Sequence, residues 1–414
     1  MTTLLSSESS LASPPSGRPN PYAPPRPYRP GNRKIRVLLI SHTCQSRTEG
    51  QPKAHALAAL PDIELHLLIP RHWKHYGTWR TAQPPLAPRF HCTIAPVRFP
   101  WAGPAQHFLH YYPQLPRLLE SFQPDVIDLW EEAWGWVSAH TCTWRNRVLP
   151  RAKIISETEQ NISKNLPFPF EKFRDRTLKS ADHAVSRNVE GATVIRGKGY
   201  RGPVDIVPNA VDTRLFHPFS DAARKAARKS LHIEGFTAGY VGRLVPEKGL
   251  LDMLEALAGC PSDVRMLLVG SGPLQREIET RAEALGLTGR IRIQPAAPLE
   301  QVPELMNALD VLVLPSRTTG RWKEQFGRVI IEAGACGIPV IGSDSAAIPD
   351  VVGEAGLIFP EGNAAALREA ITTLRSDPAL ARRLGQIGRT QAETFYTWDQ
   401  VAQRMATIYQ TVTQ

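Results

Sequence analysis

Two basic residues, Arg243 and Lys248, lie in the segment GRLVPEKG, between a strand-like apolar run and the helix-like stretch LLDMLEAL. A pyrophosphate is held well by fixed cations and by a helix start, whose free N–H groups attract anions. The segment therefore predicts a diphosphate site at the carboxyl end of a strand. The alternative interpretation is that both residues lie on the surface around a turn.

Two carboxylates, Glu324 and Glu332, are eight residues apart in KEQFGRVIIEAGACG, at a predicted junction between a loop and a helix. At about 3.6 residues per turn, Glu332 lies about two turns into the helix, while Glu324 stays in the loop. Carboxylates accept hydrogen bonds from hydroxyl groups, so Glu324 can reach a sugar and Glu332 a ribose. Gly327 lets backbone N–H groups approach an anionic ligand closely. The alternative is an acidic residue before the helix and a second one on its face.

Short apolar runs alternate with helix-like stretches along the chain, and this alternation predicts buried strands of parallel sheets. The first series is KIRVLLISH (34–42), IELHLLIP (63–70), TIAPVRF (93–99), DVIDLW (125–130), KIISE (153–157), HAVS (183–186) and VDIVPN (204–209). The second series is TAGYVGRL (237–244), VRMLLVGSG (264–272), RIRIQP (290–295), DVLVLPS (310–316), IPVIGS (338–343) and GLIFP (356–360). We expect two α/β domains with ligand-binding loops at the carboxyl ends of their strands and the active site in the cleft between them.

The length of 414 residues fits two domains and a tail. Residues 1–33 are rich in Pro, Ser and Arg and have too little apolar surface to form a core, which predicts a disordered arm. The predicted N-terminal domain covers residues 34–212 and the predicted C-terminal domain covers residues 213–392. Residues 393–414 are predicted to contain a last helix with one apolar face.

The formal net charge of +10 suits an anionic ligand, whether a sugar nucleotide, a phospholipid head group or a nucleic acid. We predict no nucleic-acid partner, because the sequence has no zinc-finger spacing, no RNP-like string and no basic region that runs into heptads. Five scattered cysteines without a CxxC pair argue against a disulfide framework or a structural zinc site. No apolar run has the length of a membrane span or of a secretory signal, so we predict a cytoplasmic protein.

The order of the motifs in the C-terminal half is more specific than any single motif. The segments GRLVPEKG, VGSGPL, ALDVLVLPS and EQFGRVIIEAGACGIPVIGSDSAAIPDVV follow one another. In this order they resemble the family-4 retaining glycosyltransferases of GT-B fold, and Glu324 and Glu332 match that family's Glu-x7-Glu motif. The resemblance spans residues 34–414 and is strongest from 235 to 360. It implies two Rossmann-like, doubly wound domains that face each other across a cleft, with the acceptor on the N-terminal domain, the donor on the C-terminal domain and the last helix crossing back.

The resemblance also implies a reaction. Arg243 and Lys248 would hold the donor diphosphate while its bond to the sugar breaks with oxocarbenium character, and cations there stabilise the transition state more than the ground state. The sequence has no Asp-x-Asp string for a divalent metal, and two basic residues can replace one. We therefore predict retaining transfer without a metal or other cofactor, with a UDP- or GDP-linked sugar as co-substrate.

The remaining donor contacts are carried over from the same motifs. Glu332 would bind the ribose hydroxyls. Glu324, together with the backbone around Phe326 and Gly327, would hold the donor sugar near its anomeric carbon. The nucleotide base would lie against the loop near Pro295.

The acceptor side departs from the family pattern. Many relatives place a His after the fourth strand, but DVIDLWEEAWGW places Trp130 there, with Asp128, Glu131 and Glu132 around it. A carboxylate at this place can orient or deprotonate an acceptor hydroxyl, so Glu131 and Glu132 are candidate catalytic residues and Asp128 is a candidate acceptor contact. The alternative is an acidic loop that caps a helix.

Two further features concern the acceptor. Glu157 and Asn161 end or follow a strand that would face the cleft, which makes them candidate acceptor contacts. Aromatic residues crowd together between residues 71 and 112, which suits either ordinary core packing or peripheral contact with a membrane that carries a lipid-linked acceptor. These residues are Trp73, His75, Tyr76, Trp79, Trp101, Phe108, Tyr111 and Tyr112.

The sequence therefore predicts a hexosyltransferase-type enzyme that glycosylates a glycan or a lipid-linked glycan in the biosynthesis of cell-surface polysaccharides. A nucleotide-sugar epimerase or a glycogen-type phosphorylase of the same fold is an alternative enzyme. A catalytically inactive, sugar-nucleotide-binding scaffold is the alternative from another class. The motifs are common to UDP- and GDP-sugars and do not select a donor.

Overall fold

The structure is a computed structural model of the chain, and it describes residues 20–23, 27–75, 78–101 and 105–414. The described residues form two compact units. The N-terminal unit contains Pro21–Asn209 and Trp398–Gln414, and the C-terminal unit contains Ala210–Thr397. Each unit has a parallel sheet of its own, which confirms the predicted α/β fold with two Rossmann-like domains.

All apolar runs of the first predicted series overlap a strand of the N-terminal sheet. These strands are β1 (Ile35–Ile40), β2 (Ile63–Pro70), β5 (His91–Ala95), β6 (Val126–Leu129), β7 (Lys153–Thr158), β8 (His183–Ser186) and β9 (Val204–Ile206). They are parallel, in the order β5-β2-β1-β6-β7-β8-β9. The consecutive apolar residues of β1, β2, β6, β7 and β8 are buried, as expected of strands that are covered on both faces, whereas the edge strands β5 and β9 are mostly half-buried.

A second, small sheet was not predicted. It is an antiparallel hairpin of β3 (His72–His75) and β4 (Thr78–Thr81), which follows β2 directly. The helices of the N-terminal unit are α1 (Gln51–Ala58), α2 (Gln106–Leu109), α3 (Leu115–Phe122), α4 (Trp136–Val148), α5 (Phe170–Ser180) and α6 (Val189–Gly197). A 3-10 turn at Thr43–Gln45 precedes α1.

The second predicted series likewise becomes the sheet of the C-terminal unit. Its strands are β10 (Phe236–Val241), β11 (Val264–Val269), β12 (Ile291–Gln294), β13 (Val311–Leu314), β14 (Val340–Ser343) and β15 (Gly356–Phe359). They are parallel, in the order β12-β11-β10-β13-β14-β15.

The connections of the C-terminal unit are helical. The α-helices are α7 (Asp221–Ser230), α8 (Leu250–Ala258), α9 (Gln275–Ala284), α10 (Val302–Asn307), α11 (Arg328–Ala335), α12 (Ile348–Val352), α13 (Ala364–Ser376) and α14 (Pro378–Phe395). Single 3-10 turns lie at Pro246–Lys248, Thr288–Arg290, Leu299–Gln301 and Gly353–Ala355.

Both sheets have a topological switch point. The first strand of each sheet, β1 or β10, pairs on one side with the next long strand and on the other side with β6 or β13. In open α/β sheets, ligands bind outside the carboxyl ends of the strands at such a point. The loops after β1, β6, β10 and β13 are therefore the places that this topology favours for a site.

The last helix, α15 (Trp398–Thr413), belongs to the N-terminal unit and packs against α1. Val401, Met405 and Ile408 form its buried apolar face. Beyond this face, the hydroxyl of Tyr409 donates a 2.6 Å hydrogen bond to Oδ2 of Asp128 in β6. No helix formed by the described residues combines the length and the apolarity that crossing a bilayer requires.

The predicted disordered arm lies partly outside the described residues, which do not include residues 1–19 and 24–26. Residues 27–33 make defined contacts with the N-terminal unit. Asp62 accepts hydrogen bonds from the Tyr28 hydroxyl and from the Gly31 N–H group, and Gln410 of α15 binds both Asp62 and the carbonyl oxygen of Arg29. Defined structure therefore begins before Lys34, because a single carboxylate gathers three hydrogen-bond donors at this place.

Candidate functional site

The switch point of the C-terminal sheet brings Lys248 and Glu324 together. Lys248 follows β10 and Glu324 follows β13, and these strands are neighbours because Gly239 pairs with Leu312. Nζ of Lys248 lies 2.6 Å from Oε2 of Glu324. The hydroxyl of Ser316 donates a 2.9 Å hydrogen bond to the same oxygen. Two segments that are distant in sequence thus form one polar cluster at the carboxyl edge of the sheet.

The position of Lys248 depends on a tight turn. Gly249 has φ 64° and ends the 3-10 turn that carries Lys248, directly before α8. A Cβ atom at this position would collide with the carbonyl oxygen of Pro315, so only glycine lets the two loops approach this closely. The ammonium group also lies 4.6 Å from the ring centroid of Trp322, a cation–π distance.

Arg243 lies on the same loop as Lys248. Its side chain is 45% exposed, and its guanidinium group lies 3.9 Å from the carboxylate of Glu247. Tyr240 holds the backbone there, because its hydroxyl donates a 2.8 Å hydrogen bond to the carbonyl oxygen of Arg243. The guanidinium group is thus on an anchored loop with half of its surface open to solvent.

Glu332 lies on α11, as predicted, and is largely buried. Burial raises the pKa of its carboxyl group, and the guanidinium of Arg328, 3.7 Å away, opposes that shift. Gly327 begins the helix with φ 78°, and its carbonyl oxygen accepts a 2.8 Å hydrogen bond from the N–H group of Ile330. The predicted junction of loop and helix is therefore present.

Two other predicted donor residues differ in what they expose. The side chain of Phe326 is buried in the core, edge-on to Tyr396 at 5.9 Å between ring centroids, so its ring is not exposed. Pro295 is exposed directly after β12. The N–H group of the next residue, Ala296, donates a 3.4 Å hydrogen bond to the hydroxyl of Ser271.

In the N-terminal unit the switch point brings Glu131 to His42, a residue that the sequence analysis missed. Ile40 in β1 pairs with Leu129 in β6, so the residues two positions further along each strand direction meet as well. Glu131 accepts a 2.6 Å hydrogen bond from the backbone N–H of His42, and its other oxygen lies 2.8 Å from Nδ1 of the ring. The sequence could have suggested this pair, because each of the two residues lies two positions after the end of its strand and the two strands are adjacent.

The carboxylate of Glu131 is also close to a second histidine. Nε2 of His110 lies 3.8 Å from Glu131. Although burial opposes ionisation, these histidines hold the pKa of Glu131 well below its usual range. The same carboxylate raises the pKa of His42 against the effect of burial. Glu131 is therefore ionised and engaged with protein groups.

Glu132 faces a different neighbour. Its oxygens accept a 2.9 Å hydrogen bond from the hydroxyl of Thr158 and a 2.8 Å hydrogen bond from the N–H group of Glu159. Burial raises the pKa of Glu132 to about 7. Its carboxyl group ties the loop after β6 to the end of β7.

Asp128 and Glu157 lie in a buried ion network below the strand ends. Lys53 contacts both carboxylates, with 3.1 Å to Asp128, and Arg187 binds Glu157. Burial raises the pKa of Asp128 to about 7, whereas Lys53 and Arg187 overcome burial and lower the pKa of Glu157 to about 2. Both side chains are almost fully buried, so their partners in this structure are groups of the protein.

Trp130, at the position where relatives place a histidine, covers this network. Its ring lies 4.7 Å from Nζ of Lys53 and 5.2 Å from the guanidinium carbon of Arg187, so two cations contact one indole. Asn161, four residues after Glu157, is also buried. Its amide nitrogen donates a 3.3 Å hydrogen bond to the carboxylate of Glu190.

The predicted aromatic crowd divides into buried and surface members. Trp73 and Tyr112 are buried, whereas Trp79 and Trp101 are exposed. Phe108 and Tyr111 join a continuous row of ring contacts at the surface. Tyr76 lies outside the described residues, as does the side chain of His75.

A cavity of about 320 Å³ opens beside His42 in the N-terminal unit. The loop after β1 and the hairpin β3–β4 enclose it. Its lining residues are His42, Thr43, Gln45, Ser46, Glu49, Trp73, Arg80, Thr81 and Gln83. Within the part of the chain that the structure describes, no group of three or more His, Cys, Asp or Glu side chains is arranged to hold a metal ion.

Comparison with known proteins locates the similarity mainly in the C-terminal half. Residues 194–391 match the family model of glycosyl transferases group 1. The chain is 29% identical over 212 residues to a GDP-mannose-dependent monoacylated alpha-(1-6)-phosphatidylinositol monomannoside mannosyltransferase of Corynebacterium glutamicum, covering 49% of this chain and 55% of that protein. It is 31% identical over 216 residues to a D-inositol 3-phosphate glycosyltransferase of Segniliparus rotundus, covering 50% of this chain and 46% of that protein. The chain thus spans about half the length of the curated relatives it matches.

The fold similarity extends over both units. The crystal structure of HepE from Anabaena in complex with UDP matches with a TM-score of 0.69 and 18% identity, over 91% of this chain and 100% of that chain. The architecture of this protein is therefore the GT-B fold, as predicted. Residues 194–391, the segment that matches the glycosyl transferases group 1, include Arg243, Lys248, Glu324 and Glu332.

Proposed function

We propose that this protein is a retaining, metal-independent glycosyltransferase that moves a hexosyl group from a nucleoside-diphosphate sugar to a hydroxyl group of a glycan or glycolipid. The cluster of Lys248, Glu324 and Ser316 at the switch point of the C-terminal sheet carries this proposal. The names of the relatives support it, since they are glycosyltransferases and one depends on GDP-mannose. HepE, whose fold is similar, was solved with UDP.

The chemistry follows from the charges on the two loops. When the bond between the anomeric carbon and the diphosphate oxygen breaks, negative charge grows on the leaving oxygen, and Lys248 and Arg243 stabilise that charge. The ammonium group of Lys248 has three N–H donors, so it can hold Glu324 and a phosphate oxygen at the same time. The two cations on one anchored loop take the part that a metal ion plays in other transferases.

The carboxylates position the rest of the donor. Glu332 accepts hydrogen bonds from the ribose hydroxyls, and its buried position makes these bonds strong in a medium of low dielectric constant. Glu324, which Lys248 and Ser316 hold in place, would hold the donor sugar near its anomeric carbon. Pro295 offers an exposed apolar face for the base.

We also propose peripheral contact with the cytoplasmic face of a membrane, where a lipid-linked acceptor for cell-surface polysaccharide would lie. An aromatic cluster of half-buried rings with the exposed Trp101 at one end supports this contact, and successive rings in it lie between 4.2 and 6.0 Å apart. Its members are Phe99, Trp101, Phe108, Trp134, Trp136, Phe170 and Phe173. Trp101 is 72% exposed, and Phe168, which lies under Nζ of Lys172, is 77% exposed. Exposed aromatic rings beside cations suit an anionic lipid surface.

Nucleotide release tests the enzymatic proposal. The full chain is incubated with UDP-glucose, UDP-N-acetylglucosamine, UDP-galactose or GDP-mannose, with and without octyl glycosides as acceptors. We expect release that depends on the acceptor, persists in EDTA, and yields a product with the donor's anomeric configuration by NMR. Binding of a nucleotide without turnover would favour an inactive scaffold, and activity that EDTA abolishes and manganese restores would contradict metal independence.

Vesicle flotation tests the membrane contact separately. We expect the chain to float with phosphatidylglycerol vesicles at low salt and less with phosphatidylcholine vesicles. Replacing Trp101 and Phe168 together by Ser should reduce flotation, whereas Trp79→Ser, at an exposed tryptophan outside the cluster, should not. No binding to anionic vesicles at low salt would contradict the proposed contact.

A further inference from the structure

The cavity beside His42 is lined by residues of the N-terminal unit, and the proposed donor contacts do not use it. It lies at the carboxyl ends of β1 and β2, where the loop after β1 meets the hairpin β3–β4. This is the edge at which open α/β sheets bind ligands. Its volume of about 320 Å³ falls within the range of small-molecule sites.

The imidazole ring of His42 is held firmly at the wall of the cavity. One carboxylate, that of Glu131, contacts both its backbone N–H and its Nδ1, and the indole of Trp73 stacks on the ring with 4.6 Å between centroids. With Nδ1 engaged, Nε2 is the ring atom left for a ligand. No group of the described residues makes a hydrogen bond to it. The ring keeps some surface in the cavity, since 23% of the side chain is exposed.

The other walls are rich in groups that bind hydroxyls. Thr43, Ser46 and Gln83 contribute hydroxyl and amide groups. The charged members, Arg80 and Glu49, neutralise each other across 3.0 Å. A lining with hydroxyls, amides and a neutralised ion pair favours a hydroxyl-rich ligand over a strongly charged one.

We propose that this cavity is an acceptor subsite for a sugar or a polyol, in which Nε2 of His42 hydrogen-bonds the acceptor hydroxyl and Glu131 is a positioning residue. The identification as an acceptor site rests on the proposed glycosyl transfer. It also gives Glu131 a different role from that predicted by the sequence. Both of its oxygens hold His42, so the carboxylate acts through the imidazole ring and does not contact the acceptor.

A binding experiment tests the site without relying on turnover. The full chain, labelled with ¹⁵N in its histidine rings, is titrated with myo-inositol, methyl α-glucoside and methyl α-mannoside at millimolar concentration. The resonance of the His42 ring is the one that is missing from the spectrum of His42→Gln. We expect at least one probe to shift this resonance in the original chain. His91→Ala removes an exposed histidine on β5 and is the matched control, which should keep the response. If none of these probes shifts the His42 resonance, the proposal is overturned.

Kinetics then separates this proposal from the proposed function. With an acceptor that supports transfer, His42→Gln and Arg80→Ala should raise the acceptor KM about tenfold, because each removes a hydrogen bond or a wall of the cavity, while the donor KM stays within about twofold. Glu131→Gln should give an intermediate rise and move the pH profile of the acceptor KM, a response that a merely structural role would not produce. Unchanged acceptor KM values would overturn the proposal and leave the proposed function intact. Probe binding at His42 in a chain that neither binds nor turns over nucleotide sugars would contradict the proposed function and overturn the assignment as an acceptor site.

Discussion

The two sheets share a strand order around their switch points, but they use charge differently there. In the C-terminal unit, Lys248 and Glu324 lie on loops above the strand ends, beside the half-exposed Arg243. In the N-terminal unit, most of the charge lies below the strand ends, where Lys53 and Arg187 neutralise buried carboxylates. At the strand ends themselves, the buried Glu131 pairs with His42, whose side chain is 23% exposed.

This difference shows that the topology selects the place of a site and the side chains select its ligand. Cations on loops that solvent reaches can meet a diphosphate. Cations buried below the strands instead join β6, β7 and α15 into one core, since Lys53 contacts Asp128 and Glu157 while Tyr409 reaches Asp128. The cavity above that core is lined by hydroxyl and amide groups, by His42 and by the ion pair of Arg80 with Glu49, which suits a hydroxyl-bearing ligand.

The buried network should give the largest effect on stability. Lys53→Met removes one cation and leaves two buried carboxylates without their shared partner, which should cost about 3–5 kcal/mol of unfolding free energy. Lys153→Met is the matched control, because Lys153 pairs with Asp182 near the surface, and it should cost less than about 1 kcal/mol. Urea denaturation measures both. Equal losses would mean that the network is not the structural core of this unit.

The donor loops should give the next largest effect, on activity and not on folding. Lys248→Ala should lower kcat/KM by about 10²–10³-fold, since it removes a cation from the developing charge on the leaving group. The exposed Lys225 on α7 offers the control Lys225→Ala, with activity close to that of the original chain. Steady-state nucleotide release measures both variants. If the activity of Lys248→Ala stayed within twofold of that of the original chain, the loop cations of the C-terminal unit would not differ in role from the buried cations of the N-terminal unit.

A smaller effect should separate ribose binding from diphosphate binding. Glu332→Gln replaces the carboxyl group by an amide and should weaken binding of a nucleoside diphosphate about tenfold. The loss should shrink for the 2′-deoxy analogue, in which one of the hydroxyl partners is missing. Calorimetric titration with both nucleotides measures this difference. An equal loss for both would assign Glu332 to the fold of α11 and not to the ribose.

The smallest effect concerns pH. Burial lowers the pKa of His42, but the carboxylate of Glu131 outweighs burial and raises the pKa above its ordinary value. The stability contributed by a raised pKa is complete below the unfolded value of about 6.5 and is lost as the pH rises through the folded pKa. Glu131→Gln should therefore destabilise the chain more at pH 6 than at alkaline pH, as measured by urea denaturation at each pH. A difference that grows with pH would contradict the interaction between His42 and Glu131.

The same comparison explains what the sequence could predict. The strands were predictable because parallel strands buried on both faces are continuous apolar runs, and each predicted run overlaps a strand. The sequence could also suggest candidate donor residues, because these residues stand in contiguous motifs with fixed spacing. They are Arg243, Lys248, Glu324 and Glu332.

The side-chain contacts at the switch point of the N-terminal unit could not be predicted in this way. His42 and Glu131 are 89 residues apart and meet only through the register of β1 and β6. The hairpin β3–β4 has the sequence HWKHYGTWRT, in which no alternation of apolar and polar residues indicates strands. The ion partners of Asp128 and Glu157 come from α1 and from the residue after β8, so a local pattern could not reveal that these carboxylates are already engaged.

The central claim is that the loops after β10 and β13 hold the diphosphate of the donor. Calorimetric comparison of UDP with uridine, and of GDP with guanosine, isolates the contribution of the two phosphates. The original chain should bind one of the diphosphates much more tightly than its nucleoside, and the double variant Arg243→Ala with Lys248→Ala should lose that preference while Lys225→Ala keeps it. A double variant that retains the full preference for the diphosphate would contradict the account.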